Sequence, residues 1–357
     1  MKIIHTADLH LHSKIDGLPS EKAKIRREEV LHTFERLCSY AKDNSVKAVI
    51  LAGDVFDTHK VPEKVLLRFF NAISNAKPVE FIFTYGNHDD DYDFLSKVNV
   101  PSNLKICLDE WKYFSYDYVT VSAITLTNLN SGVLYDTLSL DEDKINIVCM
   151  HGQVANYVSG TSNELISLPK LKDKNIDYLA LGHIHAYSLE KLDNRGKYSY
   201  SGCLDGRGFD ETGEKGFVLI DVTGKELSTQ FIPFASRTLY TVEVDVSGEE
   251  NWYSFANKVI TELSVYNKNS LLKIVLKGER PVIFEIDVDY LVNRLNEEFF
   301  FAKVYDQTTL KIGEDDYKND KSVRGEFVRA VLSSDLSEEE KNAIIMTGLN
   351  ALKGGGV

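Results

Sequence analysis

Short apolar runs alternate with helix-like patterns in the first part of the chain. Apolar residues at helical spacing predict helices over Glu21–Asp43 and Pro62–Ala76. The runs typical of buried strands are Lys2–Ile4 (continuing to Asp8), Val46–Ala52, Val79–Tyr85, Tyr118–Ile124, Ile145–Met150, Tyr178–Leu181 and Gly216–Val222. Strand–helix alternation followed by many strands predicts an α/β fold, in which a β-sandwich of mixed sheets is flanked by helices.

From Arg237 onward the pattern differs. Strand and helix patterns alternate over Leu239–Val246, Asn251–Leu263, Leu271–Lys277, Val288–Glu298 and Phe299–Ile312, an order that predicts a small α+β domain. In the tail, Ser337 and Glu340 form a capping box before an apolar helix that Gly354 ends. We therefore expect a first domain over 1–235, an α+β domain over 236–320 and a helical tail over 321–357.

Composition places the chain among ordinary globular proteins. It has 357 residues, of which 43% are hydrophobic and 27% charged, so a sizeable core can form and disorder is excluded as the dominant state. The four cysteines are well separated, which excludes a CxxC motif and fits a reducing compartment: Cys38, Cys107, Cys149 and Cys203. We find no signal peptide and no apolar run that could span a bilayer, and we expect a cytoplasmic protein without a membrane partner.

The charge balance is acidic. Lys and Arg number 41 against 54 Asp and Glu, which gives a formal net charge of -13. This argues against a protein that coats DNA through a generally basic surface. It does not exclude a nuclease, because metal ions bound by carboxylates make such a site positive. Any surface for nucleic acid must then be local, assisted by metal ions or supplied by a partner.

Polar clusters follow or end five of the strand-like runs. They are Asp8-Leu9-His10, Gly53-Asp54-Val55-Phe56-Asp57, Gly86-Asn87-His88-Asp89, His151-Gly152 and Gly182-His183-Ile184-His185. Asp8 and His10 are two residues apart, so on a strand they would share one face, and His183 and His185 repeat this spacing. Carboxylate oxygens with imidazole nitrogens suit Mn, Fe, Zn or Co better than Ca. Seven candidate ligands are too many for one tetrahedral ion and enough for two ions that share a carboxylate.

In this order the five clusters resemble the signature blocks of the calcineurin-like metallophosphoesterases. The resemblance implies one metal site of Asp8, His10 and His185, and a second of Asn87, His151 and His183. It implies that Asp54 bridges the two ions. His88 matches the family's general acid or transition-state stabiliser, and Asp57 matches the residue that orients that histidine.

The segment after the last cluster narrows the resemblance. Tyr200–Phe209, followed by Glu211, Gly213, Lys215 and Gly216, is similar to the SbcD-type DNA repair exonucleases and their YhaO-like bacterial relatives. This similarity implies a Mn-dependent DNA exonuclease and endonuclease that acts through a metal-bridging hydroxide, with an α+β capping domain that helps to bind DNA. Arg207 is a candidate phosphate contact, and a structural salt bridge to an acidic neighbour is the alternative.

The resemblance also concerns partners. Relatives work with an SMC-like ATPase, but the C-terminal region that larger relatives use for this contact is short here. Relatives also dimerise through helices of the first domain. The apolar face of Pro62–Ala76 is a candidate for a homodimer, and burial in its own core is the alternative.

Two other functions stay open. One is a phosphodiesterase for small nucleotides or phosphoproteins, and the other is activity that depends on the ATPase subunit. A non-catalytic scaffold is disfavoured, because it would not need seven buried ligands and His88. Of the remaining histidines we expect His5 in the core, His12 in a turn or at substrate, and His32 and His59 at the surface or in packing.

Overall fold

The fold is seen in a computed structural model that describes residues 1–57, 61–89, 99–156, 162–249, 251–281, 286–311, 317 and 320–352. His59, Ile312 and Gly354, about which the sequence made predictions, lie outside the described residues. The chain forms two compact units, Met1–Leu239 and Tyr240–Val357.

The first unit is the predicted α/β sandwich. Its elements are β1 (Lys2–Thr6), α1 (Ser20–Asp43), β2 (Ala48–Ala52), α2 (Glu63–Asn75), β3 (Glu80–Thr84), β4 (Leu104–Cys107), β5 (Lys112–Tyr116), β6 (Val119–Ala123), α3 (Leu134–Thr137), β7 (Ile145–His151), β8 (Gln153–Ala155), β9 (Leu165–Ser167), β10 (Tyr178–Gly182), β11 (Ser188–Lys191), β12 (Lys197–Tyr200), β13 (Gly216–Thr223) and β14 (Glu226–Pro233). Two six-stranded sheets have the orders β14-β13-β1-β2-β3-β4 and β11-β12-β10-β7-β6-β5. The strands β1 to β4 run parallel, as do β6, β7, β10 and β12.

Alternation along each central strand builds this sandwich. On β2, Ala48 and Ile50 point into the layer between the two sheets, while Val49 and Leu51 point to the opposite side, where α1 and α2 pack. The apolar face of α2 is buried on that opposite side of the sheet, against Val49 and Leu51. It contributes Leu66, Phe69, Phe70 and Ile73. Of the two alternatives for this face, the structure therefore shows burial in its own core.

The second unit contains the predicted strands and helices of the α+β pattern. The remaining elements are β15 (Leu239–Asp245), α4 (Trp252–Leu263), β16 (Leu271–Lys277), β17 (Glu279–Pro281), α5 (Val288–Glu298), β18 (Phe301–Asp306), β19 (Thr309–Lys311), α6 (Val323–Leu332) and α7 (Glu338–Leu352). A sheet of order β15-β16-β18 carries α4 and α5 on its apolar face, and β16 and β18 run parallel.

The tail holds two helices, whereas the sequence analysis predicted one. The capping box before α7 is confirmed, since the Glu340 N–H donates to Ser337 Oγ at 3.3 Å and Glu340 Oε2 accepts from the Ser337 N–H at 3.0 Å. The helix α6 is short, and a glycine in its first turn weakens the apolar periodicity. It packs on α7 through Val328 and Ile345. Within the described part of the chain, no helix combines the length and apolar character needed to cross a membrane.

Candidate metal centre

The candidate site lies where strands of both sheets end. Parallel strands β1, β2 and β3 lead into the segments that carry Asp8, Asp54 and Asn87, and the parallel strands β7 and β10 lead to His151 and His183. The carboxyl ends of parallel strands meet at one edge of a sheet, and the two sheets face each other. Side chains that are distant in sequence are thereby brought to one place.

The backbone at these residues is unusual. The backbone angle φ is positive at four of them, a conformation that residues other than glycine rarely adopt. Its values are 51° at Asp8, 43° at His10, 52° at Asp54 and 108° at His183. Asp8 and His10 lie beyond β1, and His183 and His185 lie beyond β10. The expectation that each pair shares a strand face is therefore wrong. These residues converge because left-handed turns redirect the chain, and such strain is concentrated at functional sites.

Two glycines make room for this arrangement. A Cβ atom on Gly53, whose φ is 83°, would lie 2.2 Å from His151 Nδ1. A Cβ atom on Gly86 would lie 2.0 Å from Asp54 Oδ1. Any larger residue at these positions would push a candidate ligand out of place.

The first donor group consists of Asp8, His10 and His185, whose ligand atoms all lie within 4.8 Å of one another. The Nε2 atoms of His10 and His185 are 3.2 Å apart. His185 is oriented by Glu211, because its Nδ1–H donates to Glu211 Oε1 at 2.7 Å. The Nε2 lone pair of His185 is therefore directed into the donor group, as a metal ligand requires.

The second donor group consists of Asp8, Asp54 and His151 within the same distance. The Nδ1–H of His151 donates to the Ala52 carbonyl at 2.8 Å, which aims Nε2 at the site. Asn87 extends this group, since its Oδ1 is 3.1 Å from His151 Nε2.

His183 joins the site on the side of Asn87. Its Nδ1 is 3.2 Å from Asn87 Oδ1, and its backbone N–H donates to both carboxylate oxygens of Asp8 at 2.9 and 3.1 Å. The structure thus gathers all seven predicted ligands in one place.

Asp54 lies between the two donor groups. Its Oδ2 is 3.3 Å from His151 Nε2 and 3.8 Å from His10 Nε2, while its Oδ1 accepts from the His88 N–H at 3.0 Å. This is the position that a bridging carboxylate needs. By distance Asp8 also belongs to both groups. The division of ligands between two ions, and the bridging role of Asp54, stay predictions.

The electrostatics of the site favour bound positive charge. Burial raises the pKa of Asp8. Burial alone would also raise the pKa of Asp54, but the hydrogen bond and charge of His151 outweigh it and the pKa is lowered. Burial would lower the pKa of His151, but the hydrogen bond and charge of Asp54, with the charge of Asp8 and the hydrogen bond to Ala52, together raise it to about 9. Buried carboxylates beside imidazole nitrogens and an amide oxygen form a donor set that fits divalent transition-metal ions.

His88 and Asp57 lie beside the donor groups. The Nδ1 of His88 is 2.9 Å from Asp57 Oδ1, and half of the His88 side chain is exposed. The same Asp57 oxygen is 3.3 Å from the Nδ1 of His10. A half-exposed imidazole beside the buried carboxylates of the donor groups is well placed to contact substrate. Asp57 holds this ring in one orientation. Their catalytic roles stay predictions.

The structure adds two carboxylates to which the sequence analysis gave no role. Glu211 is buried and holds both His185 and Arg207, and these hydrogen bonds lower its pKa although burial would raise it. Asp89 is buried and accepts from the N–H groups of Phe56 and Gly86 at 2.9 Å each, so it ties two site segments together. Asp89 could have been noticed as the last residue of its cluster. Glu211 belongs to the segment that resembles the SbcD-type exonucleases, but nothing in that segment indicates its contact with His185.

Two histidines outside the candidate site, His5 and His32, are placed in the core and at the surface. His5 is fully buried between the sheets, where its Nδ1 accepts from the Tyr178 hydroxyl at 2.9 Å and its Nε2–H donates to the Leu181 carbonyl at 3.2 Å. His32 is exposed and lies 3.2 Å from Glu35. The prediction that His5 lies in the core is confirmed, and of the two alternatives for His32, the surface or packing, the structure shows the surface.

Comparison with known proteins agrees with this geometry. Residues 1–187, just over half of the chain, match the calcineurin-like phosphoesterase family. The chain belongs to that family, and it is therefore a metal-dependent phosphoesterase. The family expected from the five polar clusters is confirmed, as is the class of enzyme.

The most informative relatives are archaeal repair proteins. The chain is 24% identical over 335 residues to the DNA double-strand break repair protein Mre11 of Sulfolobus acidocaldarius, covering 89% of this chain and 85% of that protein. It is 24% identical over 316 residues to the protein of the same name from Aeropyrum pernix, covering 79% and 74%. For Methanosarcina acetivorans the identity is 26% over 275 residues, covering 73% of this chain and 43% of that protein.

Solved structures show more distant likenesses. A dimetal phosphatase from Danio rerio has a TM-score of 0.45 at 11% identity, covering 64% of this chain and 95% of that chain. The protein TT1561 of Thermus thermophilus has a TM-score of 0.42 at 14% identity, covering 64% and 98%.

Proposed function

We propose that this chain is a DNA nuclease that hydrolyses phosphodiester bonds with the help of two divalent metal ions. The observation that carries the proposal is the convergence of seven nitrogen and oxygen donors beside the His88–Asp57 pair. The class of substrate comes from the relatives, which are named for DNA double-strand break repair.

The proposed ligand assignment is the one that the family resemblance implies, and the distances between the donors support it. Asp8, His10 and His185 would hold one ion, Asn87, His151 and His183 would hold the other, and Asp54, which lies between the two donor groups, would be shared by both. We propose manganese as the preferred ion, with Fe, Zn or Co as alternatives that the same donors accept. When bound, the ions would activate a water molecule and stabilise the charge that develops on the phosphate oxygens.

The chain's own residues then complete the reaction. His88 stabilises or protonates the leaving 3′ oxygen, because its ring is exposed while its Nδ1 faces Asp57 Oδ1 at 2.9 Å. Asp57 keeps the imidazole in that orientation. His151 and His185 are held from behind by the Ala52 carbonyl and by Glu211, which keeps both rings turned toward the site.

The proposal extends to how the chain binds DNA and to the partners with which it works. With a net charge of -13, DNA binding must rely on the metal ions and on local contacts. We propose that the α+β domain over 236–320 contributes to DNA binding and that the chain acts as an exonuclease in the cytoplasm. A homodimer and an SMC-like ATPase subunit are the partners that the similarity to SbcD-type nucleases implies.

The test is release of nucleotides from end-labelled linear DNA, single-stranded and double-stranded, by the purified chain in Mn²⁺. We expect release that the Asp54→Asn variant abolishes and that a chelator prevents. An aryl phosphodiester is assayed in the same buffer. Hydrolysis of that ester without hydrolysis of DNA, both alone and with the ATPase subunit added, would contradict the nuclease and favour a small phosphodiester as substrate, which the acidic charge of the chain also fits.

A further inference from the structure

Arg207 is directed inward, toward the candidate metal centre. Only 16% of its side chain is exposed. Its Nε donates to Glu211 Oε1 at 3.1 Å, and one terminal nitrogen donates to the same oxygen at 2.6 Å. Its other terminal nitrogen lies 3.6 Å from Asp57 Oδ2. The guanidinium fork thus spans two carboxylates that are far apart in sequence.

Each of these carboxylates holds a histidine of the site. Glu211 Oε1 accepts from the Nδ1–H of His185, a member of the first donor group. Asp57 Oδ1 faces the Nδ1 of His88. A chain of contacts therefore runs from a candidate metal ligand to the candidate general acid, and Arg207 is its central member.

The segment that carries Arg207 is anchored on both sides. Upstream, Asp205 Oδ1 accepts at 2.6 Å from Arg26, which is fully buried in α1. Downstream, the Nζ of Lys215 donates to the His185 carbonyl at 2.6 Å. Within the segment, the Arg207 N–H donates to Glu211 Oε2 at 2.7 Å. Such anchoring fixes a positioning group and is unnecessary for a side chain that must follow a mobile substrate.

We propose that Arg207 is a positioning residue that couples the two orienting carboxylates, Glu211 and Asp57, and so sets the geometry of His185 and His88 together. This inference rests on the proposed function and replaces the phosphate contact that was one of the two alternatives for Arg207. The guanidinium is committed to carboxylates and has little exposed surface, so a substrate phosphate would have to displace contacts that the site needs.

The test compares Arg207→Gln and Arg207→Lys with Arg195→Gln. Arg195 is a matched control, because it also bonds a carboxylate and backbone carbonyls but belongs to a surface network around Asp177. Affinity for Mn²⁺ is measured by titration calorimetry. In addition, kcat and KM are measured for bis(p-nitrophenyl) phosphate and for end-labelled DNA, and thermal unfolding reports whether each variant is folded.

For Arg207→Gln we expect Mn²⁺ affinity to fall roughly 10-fold, and kcat to fall roughly 10-fold to 100-fold on both substrates, with KM for DNA unchanged. Arg207→Lys should remain impaired in kcat, because a single ammonium group cannot span both carboxylates. Arg195→Gln should match the parent chain. The joint loss of Mn²⁺ affinity and kcat is what distinguishes positioning from a phosphate contact, because a contact with substrate alone would leave Mn²⁺ binding unchanged.

Two results would overturn the inference. One is a raised KM with unchanged kcat and unchanged Mn²⁺ affinity, which would make Arg207 a phosphate contact. The other is full activity and Mn²⁺ affinity in Arg207→Lys, which would show that charge alone is sufficient. If the parent chain cleaves the aryl ester but not DNA, the proposed nuclease fails while Arg207 is still tested on that ester. If it cleaves neither, Mn²⁺ affinity decides the role of Arg207.

Discussion

The Nε2 atoms of His10 and His185 lie 3.2 Å apart, although 175 positions separate the two residues in the chain. Glu211 accepts from the Nδ1–H of His185, whereas His10 Nδ1 lies 3.3 Å from Asp57 Oδ1 without forming a hydrogen bond. Two imidazole lone pairs that converge at this distance repel each other unless a cation or a proton lies between them. Because Asp8 completes the same donor group, the pair fits a divalent metal ion that takes both nitrogens as ligands.

Replacing Asp54 should remove activity together with metal binding. Asp54→Asn takes away the negative charge between the two donor groups, so we expect phosphodiester hydrolysis to fall by at least about 1000-fold and bound metal to decrease. Metal content is measured after dialysis, beside hydrolysis of an aryl phosphodiester. Asp16→Asn is the control, because Asp16 is exposed and forms an ion pair with the exposed Lys14. Normal metal content with normal turnover in Asp54→Asn would refute the bridging role.

Replacing His88 should separate catalysis from metal binding. His88→Ala is expected to keep the metal content of the parent chain, while kcat falls by roughly 100-fold to 10,000-fold, the usual contribution of a general acid. Asp57→Asn should lose less, about 10-fold to 100-fold, because the imidazole remains but is less well oriented. Hydrolysis and metal content are measured on the same preparations. A His88→Ala variant that turns over like the parent would exclude His88 from the reaction.

Removing the buried Arg26 should destabilise the first unit. Its side chain bonds Asp205 at 2.6 Å and the Gly206 carbonyl at 2.7 Å, and none of it is exposed. Arg26→Met leaves the buried Asp205 without this charge, so we expect the free energy of unfolding to fall by about 3–5 kcal/mol in urea denaturation. Lys14→Met, which breaks an exposed ion pair, should cost less than about 1 kcal/mol. Equal effects in the two variants would argue against a buried network.

His5 should contribute to the loss of folding stability at acidic pH. Burial lowers its pKa from the ordinary 6.5 to about 3, so between these values the unfolded chain binds a proton at His5 that the folded chain does not. The free energy of unfolding must then decrease as the pH falls through this window. We expect His5→Gln to lose less stability than the parent chain between about pH 7 and about pH 4, measured by urea denaturation. A steeper loss in the variant would contradict this assignment.

Much of the architecture was predictable because it depends on local pattern. Strands such as Leu271–Lys277 and helices such as Val288–Glu298 are found where their periodicity placed them. Short edge strands were missed, among them Ser188–Lys191, which is only partly buried and has a weak pattern. The helix Val323–Leu332 was missed for a similar reason, since a glycine in its first turn and its short length leave little periodic signal.

The sequence by itself determined to which family the chain belongs and which residues are the candidate ligands, because the residue types within each cluster are local properties of the chain. Only the tertiary structure decided how they meet. The left-handed backbone at Asp8 and His183 depends on the parallel strands that hold those turns. Likewise, Glu211 reaches His185 through a hydrogen bond that no periodicity encodes. Long-range contacts of this kind follow from the packing of two sheets, in which no single segment specifies its partner.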